Sequence, residues 1–307
     1  MSKASIDDWK LAGSLAARIL NEVSTLIRPR RKILDICEYI EKKTLAKGAK
    51  PAFPANVSIN NIAAHYTSPP NDTSTIPEIA LVKIDIGVLI RGAIADTART
   101  ILVGGNKRLH ELVKATEDVL QEAIETTRDG VKVKQLSKVI WESSRERGFG
   151  VLKDLGGHEI RRGVLHAGLF IPNHPKALKQ DRKLREGMII AVEPFLVLSA
   201  NDSVTAPTRE AYIFAVKKNP RTGGDRFIQR IYKQYSSLPF ALRWLVGNKV
   251  SNKKYIRSIL NTLAQYEKHG IINSYPVLVD SNGYWVAQFE HTLLIKKSSA
   301  EVLTMTS

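Results

Sequence analysis

The 307-residue chain has a single cysteine, Cys37. No disulfide can close within it and no cage of thiolates can hold a metal, so any metal site must be built from histidine and carboxylate. It also lacks any apolar run near the roughly 18 residues that a membrane span needs, and its opening, MSKASIDDWK, has no apolar centre of the kind a secretory leader carries. These absences predict a cytoplasmic chain with no membrane partner. Acids are scarce beside bases, 30 against 46, for a formal net charge of +16. The bias is strongest from Arg209 to Arg257, where twelve Lys or Arg meet two acids. Such a stretch suits contact with nucleic-acid phosphate, or it is simply a solvated face. No low-complexity tract or inter-domain linker appears, which predicts one domain over 1–307 with the basic stretch, about 200–272, as a helical insertion.

What is present begins with helical spacing. Trp9, Ala12, Ala16, Ile19, Val23 and Leu26 recur by threes and fours and stop at RPR. Further helices are predicted over Lys32 to Lys47, over KRLHELVKATEDVLQEAIETTRDG up to Gly130, and over VKQLSKVIWESSRERG up to Gly148. In the basic stretch, DRFIQRIYKQYSSLPFALRWLV and NKKYIRSILNTLAQYEKHGII read as two more. A shift of one hundred residues lays Ile33 on Val133, Ile36 on Leu136, Ile40 on Ile140 and Gly48 on Gly148, with His65 falling within one residue of His166. A duplicated helix-then-strand unit would set those two histidines on opposite sides of one cleft.

The strands carry the chemistry. KIDIGVLIRGAIADTA reads as a hairpin turning at Arg91 and Gly92, so that Gly87 faces Asp96 and Asp85 lies diagonally beside it, within roughly 7–8 Å. Two carboxylates aimed at one point repel unless a cation sits between them, and the missing side chain at Gly87 is expected to leave it room. GMIIAVEPFLVL and YWVAQFEHTLLIKK repeat the theme with one acid each, Glu193 and Glu290, and YPVLVDSNGYWVAQF reads as a hairpin turning at Ser281, Asn282 and Gly283. His158 follows two glycines in DLGGHEI. Taken singly, an acid in a strand commonly faces solvent or pairs with Lys or Arg, a histidine commonly hydrogen-bonds in the core, and Phe53 and Phe195 are by default core. Taken together, four carboxylates and an imidazole are a ligand set for two divalent ions in a hydrolytic site.

Five blocks in order, AFPANVSINNIAAHYT, KIDIGVLIRGAIADTA, GGHEIRRGVLHAG, AVEPF and AQFEHT, resemble the signature blocks of methionine aminopeptidases, and of type 2 in particular, because a long helical stretch separates Glu193 from Glu290. No Lys-rich N-terminal extension is present, so the resemblance is to the compact archaeal form. It implies an α+β "pita-bread" fold: a pseudo-twofold αβ repeat with curved antiparallel sheets and an inserted winged-helix-like subdomain. It implies two divalent ions (Co, Mn, Fe or Zn) held by Asp85, Asp96, His158, Glu193 and Glu290. Asp85 would be bidentate to one ion, Asp96 and Glu290 would bridge, and His158 and Glu193 would complete the other.

The activity implied is hydrolytic removal of initiator methionine from nascent chains whose second residue is small, through attack of a metal-bridged hydroxide on the first peptide bond. Glu193 would shuttle the proton and the free α-amine would bind a metal. His166 would lie near the scissile carbonyl oxygen and His65 near the amide nitrogen. Phe53, Leu165, Phe195 and Tyr275 would line the methionine pocket. Two positions depart from the family: Gly156 where Ser is common and Gly163 where Tyr is common. The alternatives are an X-Pro peptidase of the same fold and a basic RNA- or ribosome-binding relative; transient ribosome contact by an active, monomeric enzyme is also expected.

Overall fold

The computed structural model describes residues 5–220 and 225–306; Arg221, one of the bases counted in the basic stretch, lies outside the described residues. Helix α1 (Ile6–Ser24) opens on a capping box, in which the Ser5 hydroxyl accepts from Asp8 N and the Asp8 carboxylate accepts from Ser5 N. Its buried face is the apolar series read from the sequence, Trp9, Ala12, Ala16, Ile19 and Val23. With α2 (Ile33–Ala46) it covers one side of a long hairpin, strands Ala80–Ile90 and Ala93–Val103. The hairpin turns at Arg91 and Gly92, both at positive φ (47° and 95°), the two-residue geometry that matches strand twist.

The second half repeats the first. Helices α3 (Lys107–Thr126) and α4 (Val133–Glu146) follow, and α4 begins and ends one hundred residues after α2. Gly48 and Gly148, just past the two helices, share φ near 74° (73° and 75°), and the short strands Lys50–Pro51 and Gly150–Val151 keep the same offset. The repeat seen faintly in side chains is thus plain in the backbone.

The halves then diverge. The first hairpin runs unbroken, whereas its counterparts break at their acids. Ile189–Val192 and Phe195–Val197 flank Glu193–Pro194, and Val286–Gln288 and His291–Ile295 flank Phe289–Glu290. Val192 pairs with His291 and Phe195 with Gln288, so both breaks fall at one place, where Pro194 offers no N–H to a ladder.

The basic stretch contains strand Thr205–Val216, α5 (Arg226–Tyr235), α6 (Leu242–Val246) and α7 (Lys253–Lys268), packed around Phe214, Ile228, Phe240, Leu263 and Ile272. It is joined to the body by strand Ile272–Asp280, which lies between Thr205–Val216 and Ile62–Ala64. Two sequence expectations are corrected here. The helix expected over DRFIQRIYKQYSSLPFALRWLV is two, because Ser236 takes a positive φ of 54° and Pro239 disfavours helix in the residue before it. The turn after Asp280 forms, with Asp280 Oδ1 accepting from Asn282 N and Tyr284 N at 2.9 and 2.8 Å. Its strands do not pair as a hairpin, however, since Val286–Gln288 joins Phe195–Val197 instead. No described helix is long and apolar enough to cross a membrane.

Candidate metal centre

Backbone pairing brings the acids together from both halves. In the hairpin Gly87 faces Asp96 and Asp85 faces Ala98, the diagonal expected from the sequence. Ala98 also pairs with Glu290 in an isolated bridge: Glu290 N donates to Ala98 O at 3.0 Å and Ala98 N donates to Glu290 O at 3.4 Å. Thr97 Oγ1 donates to the same Glu290 carbonyl at 2.9 Å. Thr292 Oγ1 accepts from Asp96 N at 2.8 Å and donates to Asp96 O at 2.7 Å. His158 arrives on strand Gly156–Ile160, held so close to its neighbour that a Cβ on Gly157 would stand 2.1 Å from Ala191 O.

All five predicted ligands converge. Atoms of Asp96, His158 and Glu290 lie within 4.8 Å of one another, and so do atoms of Asp85, Glu193 and Glu290. Glu290 therefore belongs to both triads and Asp96 to one, where the resemblance has both of them bridge. Glu193 groups with Asp85, whereas the resemblance pairs it with His158.

The electrostatics call for cations. Asp85 Oδ1, Asp96 Oδ1, His158 Nδ1 and both Glu290 carboxylate oxygens are buried without a hydrogen-bond partner. Burial first, and repulsion from Asp96 second, push Asp85 well above the usual carboxylate range; Glu193 and Glu290 are raised in the same way by burial and by their acidic neighbours. Burial lifts Asp96 to about 7. His158 is pulled down to about 4 by burial and stays neutral, the form in which imidazole ligates. Orphaned, oxygen-rich carboxylates with one neutral imidazole fit two divalent ions of the Mn, Fe, Co or Zn class.

A cavity of about 210 Å³ opens onto this cluster, lined by Asp85, Asp96, His158 and Glu193, by His65 and His166, and by Phe53, Leu165, Phe195 and Tyr275. Every pocket residue named from the sequence is on its wall. His65 sits at φ 63°, an uncommon conformation for a residue with a side chain. Its ring meets Tyr275 edge-on at 5.5 Å. Its Nδ1 lies 3.2 Å from Pro276 O; a carbonyl only accepts, so Nδ1 carries the proton and Nε2 is left as an acceptor. Burial lowers His65 to about 4. His166 packs edge-on to His158 at 4.3 Å and is lowered to about 3 by burial and then by His158, though its opening to the cavity lets water moderate that shift.

The space expected beside Gly87 is not left for a cation. A Cβ there would stand 2.3 Å from Phe53 Cε1, so the missing side chain admits the Phe53 ring. Of the two family departures, Gly156 is tightly enclosed, with an added Cβ 2.1 Å from Ile171 O, while Gly163 faces open space.

Sequence reading missed several contributors. Gln288 donates from Nε2 to Glu193 Oε1 at 2.7 Å. It stands two residues before Glu290 in AQFEHT, and strand alternation alone would have placed both on one face. Buried Asn173 bonds both flanks of the strand break when its amide is oriented to donate to Glu193 O and accept from Phe195 N, each at 3.0 Å; no local pattern announces it. Ile213 and Pro239, from the basic stretch, complete the cavity wall.

The model of metallopeptidase family M24 matches residues 7–297. The methionine aminopeptidase of Pyrococcus abyssi (strain GE5 / Orsay) is 40% identical over 300 residues, covering 97% of this chain and 99% of that one. The crystal structure of methionine aminopeptidase from Thermotoga maritima superposes with a TM-score of 0.68 at 25% identity, covering 99% of this chain and 98% of that one. A thermophilic Arx1 shares the fold at a TM-score of 0.82 and 18% identity, covering 100% and 92%. The two helix-backed halves and curled antiparallel sheets are the pita-bread architecture common to these structures.

Proposed function

The chain belongs to metallopeptidase family M24, and on that premise we propose that it is a methionyl aminopeptidase, a hydrolase removing N-terminal methionine from peptides and nascent proteins whose second residue is small. One observation carries the reading: four carboxylates, two of them buried and two half-buried, and a neutral imidazole converge beside an apolar cavity that two further histidines flank. The Pyrococcus relative, which matches nearly end to end, is itself a methionine aminopeptidase.

Asp85, Asp96, His158, Glu193 and Glu290 would hold two divalent ions, which when bound make water nucleophilic near neutral pH and polarise the first peptide carbonyl. The chain's own groups do the rest. Glu193, fixed by Gln288, takes the proton given up by the attacking water. Phe53, Leu165, Phe195 and Tyr275 surround the methionine side chain and keep water from it. His65, its Nδ1–H committed to Pro276 O, offers Nε2 to the amide hydrogen of the scissile bond. Neutral His166 donates to the carbonyl oxygen as negative charge grows there, an interaction commonly worth a few kcal/mol.

The test is hydrolysis of Met-Ala-Ser beside an X-Pro dipeptide, before chelation, after it, and after each metal is restored. Metal-dependent release of methionine with no X-Pro cleavage is expected. The reverse preference would establish the X-Pro peptidase.

We further propose that this enzyme acts as a cytoplasmic monomer and touches the ribosome through its basic stretch. Lys217, Lys218, Arg226, Arg230, Lys253, Lys254 and Arg257 are exposed there and make no ion pair among the described residues. Co-sedimentation with ribosomes that disappears as salt rises is expected; absence of co-sedimentation at every salt concentration would refute it.

A further inference from the structure

Lys83 is 1% exposed, and no carboxylate among the described residues stands in ion-pair range of its amine. Its Nζ donates instead to two backbone carbonyls, Asn60 O at 2.9 Å and Val286 O at 3.0 Å. Val286 N donates to the same Asn60 O at 3.0 Å, so three bonds close a ring. Each corner of that ring lies just before a residue of the candidate site. Asp85 follows Lys83 by two positions on one face of its strand, His65 follows Asn60 by five, and Glu290 follows Val286 by four.

Stability alone does not call for a lysine here. A buried amine that meets only carbonyls gives up its water for no counter-charge, and an apolar side chain of similar length would avoid that cost. What the amine adds is direction, two N–H groups aimed at segments far apart in sequence. Two of the three segments are held well without it. Strand Ala80–Ile90 is laddered on both sides, to Asn56–Ile59 and to Ala93–Val103, and Glu290 is fixed by its bridge to Ala98. The third segment has less. Strand Ile62–Ala64 pairs with Ile272–Asp280 at two positions with a register shift between them, and His65 follows it at once. In the turn before that strand Asn60 N donates to Leu81 O and Asp280 N to Asn61 O, each at 2.9 Å, and Lys83 adds the tie from the Asn60 carbonyl to Val286. We infer that Lys83 is a positioning residue for His65: it ties the turn before His65 to the strand before Glu290, and so sets how far the His65 ring stands from the metal ligands.

The inference rests on the peptidase reading and on the part given there to His65. A double-mutant cycle on cobalt-loaded enzyme tests it, with hydrogen exchange beside it. Lys83→Met should fold, keep its bound metal and lower kcat on Met-Ala-Ser by roughly 10–10²-fold, the cost of a misplacement of about 1 Å. In a His65→Ala background the same change should cost no more than about twofold, because a residue acting through another loses its effect once that one is gone. General loosening of the fold would cost the same in both backgrounds, and that result would overturn the inference. Lys83→Gln, one bond shorter and unable to reach both carbonyls, should show the same dependence on His65 if the methionine variant fails to fold. Wild type that releases no methionine would overturn the peptidase reading instead. Hydrogen exchange then decides for Lys83: amides of residues 60–66 should exchange roughly tenfold faster in the variant while those of 84–90 keep their protection. Unchanged exchange at 60–66 would overturn the tie.

Discussion

Glu290 and Ala98 exchange both backbone hydrogen bonds across a lone antiparallel bridge, while on its other side Ala98 pairs with Asp85. The candidate metal centre thus lies on the seam between the two halves of the repeat, and neither half owns it. Cations bound there would join the halves as well as serve chemistry. Binding them would then contribute to folding, and taking them away would expose what the bare acids cost.

Metal-free protein should lose stability relative to ion-loaded protein as pH rises above 6.5. Asp96 sits at about 7, against about 3.9 in an unfolded chain, and the other three acids are raised as well. Above pH 4 the folded state therefore keeps protons that the unfolded state has shed, and stability falls through the folded pKa values. The histidines act the opposite way. His65 and His158 lie near 4 and His166 near 3, below the unfolded value of about 6.5, so they cost stability only as pH falls below 6.5. Above that point buried Lys83, lowered to about 7 against about 10.4 in an unfolded chain, works the other way and regains stability as pH rises, with or without ions. Comparison with ion-loaded protein removes that contribution. Calorimetry should show the melting temperature in chelator falling by about 3 °C or more relative to that of the ion-loaded protein between pH 6.5 and 8, at about 2–4 °C per kcal/mol. A constant gap between the two profiles would sink the account.

His65→Ala and His166→Ala should each lower kcat on Met-Ala-Ser by roughly 10²–10³-fold, the range for removing one group that stabilises developing charge. Neither residue is in the ligand triads, so bound metal should stay at the wild-type level. A His65→Ala enzyme with full metal and wild-type turnover would refute the part given to its Nε2.

The sequence made the site legible because each ligand sits in a short local pattern: acids in apolar strands, a histidine after two glycines, and a repeat of constant offset. What it concealed depended on distant pairing. The strand breaks at Glu193 and Glu290 follow from Pro194 and from a register that spans the whole inserted stretch, and the failed hairpin after Asp280 has the same origin. Asn173 and Gln288 act through contacts that alternation or tertiary folding alone assigns. Gly87 misled for a related reason: an empty Cβ position says that something approaches, and the something proved to be the Phe53 ring.

Gly87→Ala tests that correction. The new methyl would stand 2.3 Å from Phe53 Cε1 and 3.0 Å from Ala52 Cβ, so the ring must swing toward the cavity. We expect about 1–3 kcal/mol of destabilisation from overpacking, with KM for Met-Ala-Ser raised and metal content kept. Adding Phe53→Leu should recover most of the stability. If Gly87→Ala instead lost a metal ion with KM unchanged, the glycine would be making room for the cation after all.

The basic stretch is locked to the body by a buried ion pair, and breaking it should be costly. Arg243 bonds Glu41 on α2, and its Nη1 also donates to Thr67 Oγ1 at 2.5 Å and to Ser68 O at 3.0 Å. Glu41 further accepts from Trp244 Nε1 at 2.8 Å and from Ala55 N at 3.2 Å. Burial outweighs the pull of Arg243 and raises the Glu41 pKa, so the carboxylate stays charged only while the guanidinium is there. Arg243→Met should cost about 3–5 kcal/mol near neutral pH, the usual penalty for orphaning a buried charge. The loss should shrink as pH falls, because a protonated Glu41 needs no cation. Replacing both partners, Arg243→Met with Glu41→Leu, should recover much of it in denaturant titrations. Thr67 and Ser68 closely follow His65, and α6 follows Pro239 on the cavity wall, so the single variant should also lower kcat/KM with its metal retained. A pH-independent loss, or a double variant no better than the single, would mean that the pair only fills space.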